Sequence, residues 1–85
     1  MSEVAEHRIK RLQMRSMRRG IKEMDLILSA YAAQKLESMD SVALDRYEAL
    51  LDENDQDLYQ WVTGQVATPA SYDALIADIA QTFQK

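Results

Sequence analysis

The sequence predicts an all-α fold, a compact five-helix bundle that forms a single domain over residues 1–85. Apolar residues recur at intervals of three and four along most of the chain, which is the helical period, and no segment alternates as a strand does. Residues that start or stop helices divide this pattern into five segments. A domain of this length buries about 60% of the surface that its unfolded chain exposes.

The first two helices are predicted over 3–17 and 22–38, on either side of Gly20. The apolar residues of the first helix do not share one face, so we expect it to be only partly packed. Gly20 is expected to interrupt the helix, because glycine lowers helix stability by about 1 kcal/mol relative to alanine and readily adopts positive φ. The second helix is apolar on almost every side over 26–33, which predicts a central position. Its seam consists of Met24, Ile27, Leu28 and Tyr31.

The third and fourth helices are predicted over 41–53 and 56–63. Asp40 or Ser41 can cap the third helix, because a side-chain oxygen there accepts hydrogen bonds from the free backbone N–H groups of the first turn. Gly64 is the predicted C-terminal stop of the fourth helix, since glycine suits the left-handed conformation that ends many helices.

The fifth helix is predicted over 69–83. Thr68 before Pro69 marks its start, because proline suits the first helical position and threonine can accept bonds from free N–H groups. Its inward face consists of Tyr72, Leu75, Ile76, Ile79, Ala80 and Phe83. The spacing of Trp61 in the fourth helix favours core packing over a role as an exposed anchor for a partner.

The charge of the chain is distributed unevenly. The net charge of -4 divides into +5 for residues 1–22 and -9 for residues 23–85. A continuous helix would align five basic residues, spaced at steps of three and four, on one face. These residues are Arg8, Arg11, Arg15, Arg18 and Lys22. Such a face can contact nucleic-acid phosphates, a protein or solvent, but a pI near 4.8 and the absence of aromatic stacking residues there argue against nucleic acid.

Catalytic and metal sites are not predicted, and we do not expect an enzyme. The chain has no cysteine, which excludes disulfides and thiol catalysis and fits a reducing compartment. His7 is the only histidine and is expected to be a solvated surface residue; no common catalytic motif is present. The acidic run 52–57 cannot start an EF-hand loop, because the required glycine is not at the sixth position nor the required glutamate at the twelfth. Asp55 is therefore interpreted as a helix cap. No apolar run approaches the roughly 20 residues of a membrane span, which predicts a soluble intracellular protein.

The working surface is expected where the basic segment meets Gly20. From the residues alone, 19–23 is a turn between two helices. Gly20 interrupts the helix there, and Glu23 is favourably placed in the first turn of the helix that follows. The run Arg18-Arg19-Gly20-Ile21-Lys22-Glu23 resembles the RGxxE signature of the succinate dehydrogenase FAD assembly factors. A later run is similar to the family's Asp-x-Asp-Leu-x-x-Trp-x-x-Gly pattern, and it reads Asp55-Gln56-Asp57-Leu58-Tyr59-Gln60-Trp61-Val62-Thr63-Gly64. The resemblance covers roughly residues 8–64.

This resemblance implies a non-enzymatic assembly factor that binds the flavoprotein subunit of succinate dehydrogenase, or of the related fumarate reductase. The factor would promote covalent attachment of FAD to a histidine of that subunit, while binding no cofactor itself. We expect a monomer in the bacterial cytoplasm, because no transit peptide is evident ahead of the first helix. The competing hypothesis is a small helical nucleic-acid-binding or regulatory adaptor that uses the basic segment. A third is a structural subunit held in a larger complex.

The signature suggests how a partner would be bound. The predicted partner-binding residues are Arg19, Gly20, Glu23, Arg18, Asp25 and Arg15. Gly20 would let the partner's backbone approach, because a Cβ there would clash or forbid the required φ. Arg19 would offer a planar fork to a partner carboxylate, with Arg18 raising the local positive potential. Glu23 would hydrogen-bond the partner near its flavin without acting as an acid or a base.

Overall fold

The computed structural model describes residues 4–83, which form five α-helices. The helices are α1 (Ala5–Ser16), α2 (Lys22–Lys35), α3 (Ser41–Leu51), α4 (Asp55–Val62) and α5 (Asp73–Phe83). Short 3-10 turns follow α2 at Leu36–Ser38 and precede α5 at Ala70–Tyr72. No strand is present between residues 4 and 83, so the predicted all-α, five-helix fold is confirmed. Residue 3, the predicted start of the first helix, lies outside the described range.

The hydrophobic core forms around α2, which packs against α1, α4 and α5. The four residues of its predicted seam are buried, none of them more than 3% exposed. Every other helix adds apolar side chains to the same cluster, and these are Leu12, Leu44, Tyr47, Leu50, Leu51, Leu58, Val62, Ile76 and Ile79. Apolar burial at about 25 cal/mol per Å² makes this cluster the main source of stability.

One face of α2 is open to solvent, although its apolar composition predicts burial on almost every side. Leu26 is 64% exposed, and Ala30 and Ala33 are also exposed. Steps of four and three place these residues on a single face. The central position of α2 is therefore confirmed, while α1, α4 and α5 leave an apolar strip of it at the surface.

The helix α1 is only partly packed, as predicted. Leu12 is fully buried, whereas Met14 and Met17 are 51% and 60% exposed. Ser16 is buried without having been expected in the core. Its hydroxyl donates to the carbonyl of Leu12 at 2.8 Å and lies 2.6 Å from the hydroxyl of Tyr47 in α3. Burial raises the pKa of Tyr47 to about 12, so this hydroxyl pair is neutral and joins the two helices.

Two predicted helix ends are confirmed. The Asp40 side chain accepts a hydrogen bond from the N–H of Ala43 at 2.8 Å and thereby caps α3. Gly64 has φ 79°, and the N–H of Gln65 donates to the carbonyl of Gln60 at 2.9 Å. The left-handed Gly64 and the backbone hydrogen bond that spans it together form a Schellman-type C-terminal cap for α4.

Two other predicted caps are wrong. Asn54 caps α4, because its side chain accepts from the N–H of Gln56 at 2.8 Å, and Asp55 is engaged elsewhere. Pro69 has ψ 143°, so it is extended and precedes the 3-10 turn instead of opening it. No side chain caps that turn, which leaves Thr68 without the predicted capping role.

Trp61 packs against the core cluster, as predicted, but it is only partly buried. Its ring stacks on Tyr72 with 6.1 Å between the ring centroids. This contact joins α4 to the turn before α5. Within residues 4–83, no helix is both long enough and apolar enough to cross a membrane.

Candidate partner-binding corner

Residues 17–21 and the first turn of α2 form an exposed bend, here called the corner. The helix α1 ends at Ser16 and α2 begins at Lys22, so the predicted interruption near Gly20 is confirmed. Gly20 and Glu23 are exposed, and Arg19 is partly buried. Gly20 and Glu23 therefore lie on the surface of the bundle, where a visiting protein can reach them, whereas the side chain of Arg19 is largely covered.

Arg19 is held by partners within the chain. Its Nε donates to Asp55 Oδ1 at 2.6 Å, and the other guanidinium nitrogens donate to the carbonyls of Leu51 at 2.8 Å and Glu53 at 3.2 Å. Its side chain is 10% exposed and that of Asp55 is 16% exposed. Leu51 is the last residue of α3, whose final carbonyls lack helical partners. The Arg19 guanidinium, predicted to bind a carboxylate of a partner protein, thus caps the C-terminal end of α3 and binds the first residue of α4.

Gly20 completes this arrangement through its backbone. Its N–H donates to Asp55 Oδ2 at 2.5 Å, so the two carboxylate oxygens of Asp55 hold adjacent residues of the corner. We call the group Arg19, Gly20 and Asp55 the clasp. Among residues 4–83 only Gly64 has positive φ, and the expectation of an unusual φ at Gly20 is wrong. A Cβ at Gly20 would lie 3.2 Å from Asp55 Oδ2, so the missing side chain makes room for Asp55.

Asp25 fastens the corner from its other side. Its Oδ1 accepts a hydrogen bond from the backbone N–H of Arg19, and the side chain is partly buried. Because Asp25 lies in the first turn of α2, this contact fixes the link against the helix that follows it. Arg19 and Asp25 are predicted partner-binding residues, but their polar groups have internal partners.

The basic face of α1 lies against α3. Arg8 pairs with Asp45 at 2.6 Å and with Glu48 at 3.0 Å, and Arg11 pairs with Glu48 at 2.9 Å. The hydrogen bond from Arg11, with that from Arg8, holds the pKa of Glu48 below its usual value. Partly exposed pairs of this kind contribute about 0–1 kcal/mol each. They nevertheless occupy arginines that a nucleic-acid-binding face would need.

Arg15 extends the same row of ion pairs, since its Nη2 lies 2.7 Å from Asp52 Oδ1. The row ends there because α1 stops at Ser16. The continuous helix that would align Arg18 and Lys22 with this face does not form, in agreement with the predicted interruption near Gly20. Arg15, like Arg19, has an internal carboxylate partner, and the nucleic-acid alternative finds no support in this geometry.

Three charged side chains of the corner remain unpaired. Arg18, Lys22 and Glu23 are exposed, and within residues 4–83 their side chains form no hydrogen bond or ion pair. Met17 and Leu26, 60% and 64% exposed, flank them in the sequence. The corner thus offers two cations, one carboxylate and two apolar side chains on a backbone that internal bonds hold in place.

A family model described as the flavinator of succinate dehydrogenase matches residues 10–83. The chain belongs to this family. The match includes the whole corner and Asp55, so the clasp lies inside the region that the flavinator family shares. The resemblance stated from the sequence motifs is confirmed.

Curated relatives of the chain are named succinate dehydrogenase assembly factor 2, mitochondrial. The relative from Candida glabrata is 52% identical over 58 residues, which cover 68% of this chain and 38% of the relative. That from Aedes aegypti is 45% identical over 65 residues, covering 74% and 40%. That from Danio rerio is 37% identical over 78 residues, covering 89% and 49%. The chain spans less than half the length of these relatives.

Asp55 is the residue of the candidate site that sequence reasoning missed for this member of the flavinator family. The Asp-x-Asp-Leu pattern contained it, but its position at a helix start suggested a cap. Asn54 takes that role, which leaves the carboxylate of Asp55 for Arg19 and Gly20. No group of three or more His, Asp or Glu residues among 4–83 could hold a metal ion.

Proposed function

We propose that the chain binds the flavoprotein subunit of succinate dehydrogenase through the corner and promotes covalent attachment of FAD to that subunit. Family membership supports this function. The observation that carries the surface assignment is the contrast within the corner. Arg18, Lys22 and Glu23 are exposed and unpaired, whereas the clasp beneath them is satisfied internally.

In this proposal the predicted residues of the corner divide into two roles. Arg19 and Gly20 shape the corner through Asp55, and Glu23 and Arg18 contact the partner. A surface fixed before binding loses less conformational entropy on association than a mobile one. Met17 and the open face of α2 beginning at Leu26 supply apolar area beside the charges.

The chain is not the catalyst in this scheme. Its described residues offer no group that could hold a metal ion, and bond formation is assigned in this proposal to the flavoprotein and its FAD. Binding at the corner would favour the subunit conformation in which the acceptor histidine meets the flavin ring. We propose that the chain acts as a monomer, binds no FAD itself, and serves succinate dehydrogenase or the related fumarate reductase.

We place the chain with its client in the bacterial cytoplasm, whereas the curated relatives are mitochondrial by name. Fractionation of host cells, with detection of the untagged chain by antibody, tests this placement. Recovery from mitochondria would contradict it.

Reconstitution tests the function directly. Purified apo-flavoprotein subunit, FAD and the chain are incubated, and covalent flavin is read as fluorescence on the denatured subunit band. We expect covalent flavin only when the chain is present. Replacing Glu23 by Gln should weaken the complex about tenfold or more, since a hydrogen bond to a charged group contributes about 1.5–3 kcal/mol.

The matched control is Glu37→Gln, which changes an exposed carboxylate in the 3-10 turn at the opposite end of α2. It should leave the complex unchanged. Full flavin attachment with Glu23→Gln would remove the proposed role of this side chain. Equal flavin attachment without the chain would refute the function itself.

A further inference from the structure

The open face of α2 has a cation at one end and a carboxylate at the other. The row runs from Lys22 through Leu26, Ala30 and Ala33 to Glu37 in the 3-10 turn. All of these residues are exposed, and steps of three and four place them along one side of the helix. We call this row the α2 strip. Because its two ends differ in charge, the strip has a direction that any occupant must match.

The α2 strip is complementary to an antiparallel copy of itself. The midpoint of the strip lies just before Ala30. Lys22 and Glu37 are equally far from it along the chain, and Leu26 and Ala33 are equally far from it as well. A two-fold axis at the midpoint places each Lys22 opposite Glu37 of the second copy. The same axis places each Leu26 opposite the small Ala33 of the second copy.

The polar groups on the strip fit the same alignment. Among residues 4–83, the side chains of Lys22, Glu23 and Glu37 form no ion pair or hydrogen bond. A rotation of about 100° per residue puts Glu23 and Gln34 on one edge of the strip. The two-fold axis brings the same edges of the two copies together, so the Gln34 amide of the second copy can donate to Glu23. A parallel copy would instead place Lys22 against Lys22 and Glu37 against Glu37.

The remaining charges near the two ends offset one another. At the corner, Arg18 and Asp25 have opposite charges, and the clasp contains an ion pair. Beyond the other end, Glu6 and Lys10 have opposite charges, and both line a shallow groove with Glu37. The direction of the strip therefore depends on the charges of the strip itself.

We propose that the α2 strip is the contact surface of a weak antiparallel homodimer. Leu26 is 64% exposed, and packing it on an alanine of the second copy removes apolar surface of both from water. Alanines at the centre let the two helices approach, since the distance between packed helices depends on the side chains at the contact. A different protein would need a row with the reverse order of charges, which a second copy supplies by symmetry.

The strip is small, so the association is weak. A standard interface involves about 20–30 residues a side, and we therefore expect a dissociation constant of about 0.1–1 mM. At micromolar concentrations the chain is monomeric, and Glu37→Gln remains a neutral control for client binding. Since Lys22 and Leu26 also belong to the proposed client surface, the dimer is a resting state in which part of that surface is covered. This consequence rests on the proposed function, whereas the dimer itself does not.

The test is sedimentation equilibrium of the full chain, without flavoprotein, from about 10 µM to 2 mM. Lys22→Glu should weaken dimerisation about threefold or more, because it replaces two exposed ion pairs by like charges. Glu37→Lys should do the same for the same reason. The double variant, Lys22→Glu with Glu37→Lys, should dimerise like the unaltered chain, because both pairs form again with their signs exchanged. Failure of the proposed function would leave these results unchanged, since no flavoprotein is present.

Ala30→Arg should abolish detectable dimerisation, because two arginines would meet near the two-fold axis. Ala49→Arg is the matched control, since Ala49 is an exposed alanine of α3 outside the strip, and it should dimerise like the unaltered chain. The proposal is overturned if the chain stays monomeric over the whole range, if Ala30→Arg still dimerises, or if the double variant does not recover. A monomeric chain in which Ala30→Arg weakens binding to the flavoprotein would assign the strip to the client and overturn the dimer as well.

Discussion

Asp55→Asn should destabilise the protein by loosening the clasp. The substitution removes the charge that faces Arg19, whose side chain is 10% exposed. It also leaves one amide oxygen for two donors, the guanidinium of Arg19 and the N–H of Gly20. Breaking a buried ion pair costs about 3–5 kcal/mol. Because Arg19 keeps its bonds to the carbonyls of Leu51 and Glu53, we expect a smaller loss of about 2 kcal/mol.

This loss is large for a domain of such size, whose total stability is about 4–13 kcal/mol at 0.05–0.15 kcal/mol per residue. Urea unfolding followed by far-UV circular dichroism measures it. Asp57→Asn is the matched control, since Asp57 is an exposed carboxylate in the same first turn of α4. Removing a charge there should cost only about 0.3–1 kcal/mol through the helix dipole. Equal unfolding midpoints for the two variants would refute the clasp.

Gly20→Val should weaken binding to the flavoprotein with helix content retained by circular dichroism, because a Cβ there would lie 3.2 Å from Asp55 Oδ2 and would force that carboxylate to shift; normal binding would contradict this. Glu48→Gln should lower the melting temperature at neutral pH. The arginines of α1 lower the pKa of Glu48 from 4.5, so its contribution is present above about pH 4.5 and lost as the pH falls through the folded-state pKa. Tyr47→Phe should cost about 1 kcal/mol by removing the contact with Ser16. Since burial raises the pKa of Tyr47 from 10.0 to about 12, the unaltered protein should lose stability above pH 10 that the Phe variant keeps.

Much of the fold could be predicted because helical periodicity is a local signal. The seam of α2, the cap at Asp40 and the stop at Gly64 each depend on residues within one or two turns. The open face of α2 could not be predicted in the same way. Apolar residues at Leu26 and Ala30 look like core residues, and only the number of helices packed around α2 shows that one face is uncovered.

The site shows the same division between local and distant signals. The place of the corner and the exposure of Glu23 follow from the motif and from the break at Gly20. The partner of Arg19 does not, because Asp55 is 36 residues further along the chain. Several acidic residues in the run 52–57 could equally have been the carboxylate partner of Arg19. The interpretation of Asp55 as a helix cap also agreed with the residue preferences at a helix start.

The contacts of Arg19 also constrain when the corner can exist during synthesis. Its guanidinium needs the end of α3 and the start of α4, so a nascent chain that has left the ribosome only as far as α2 cannot lock this bend. The signature would be translated early but would acquire its shape late. Client recognition would thus be reserved for molecules that have completed folding, and truncated products would not compete for the enzyme subunit.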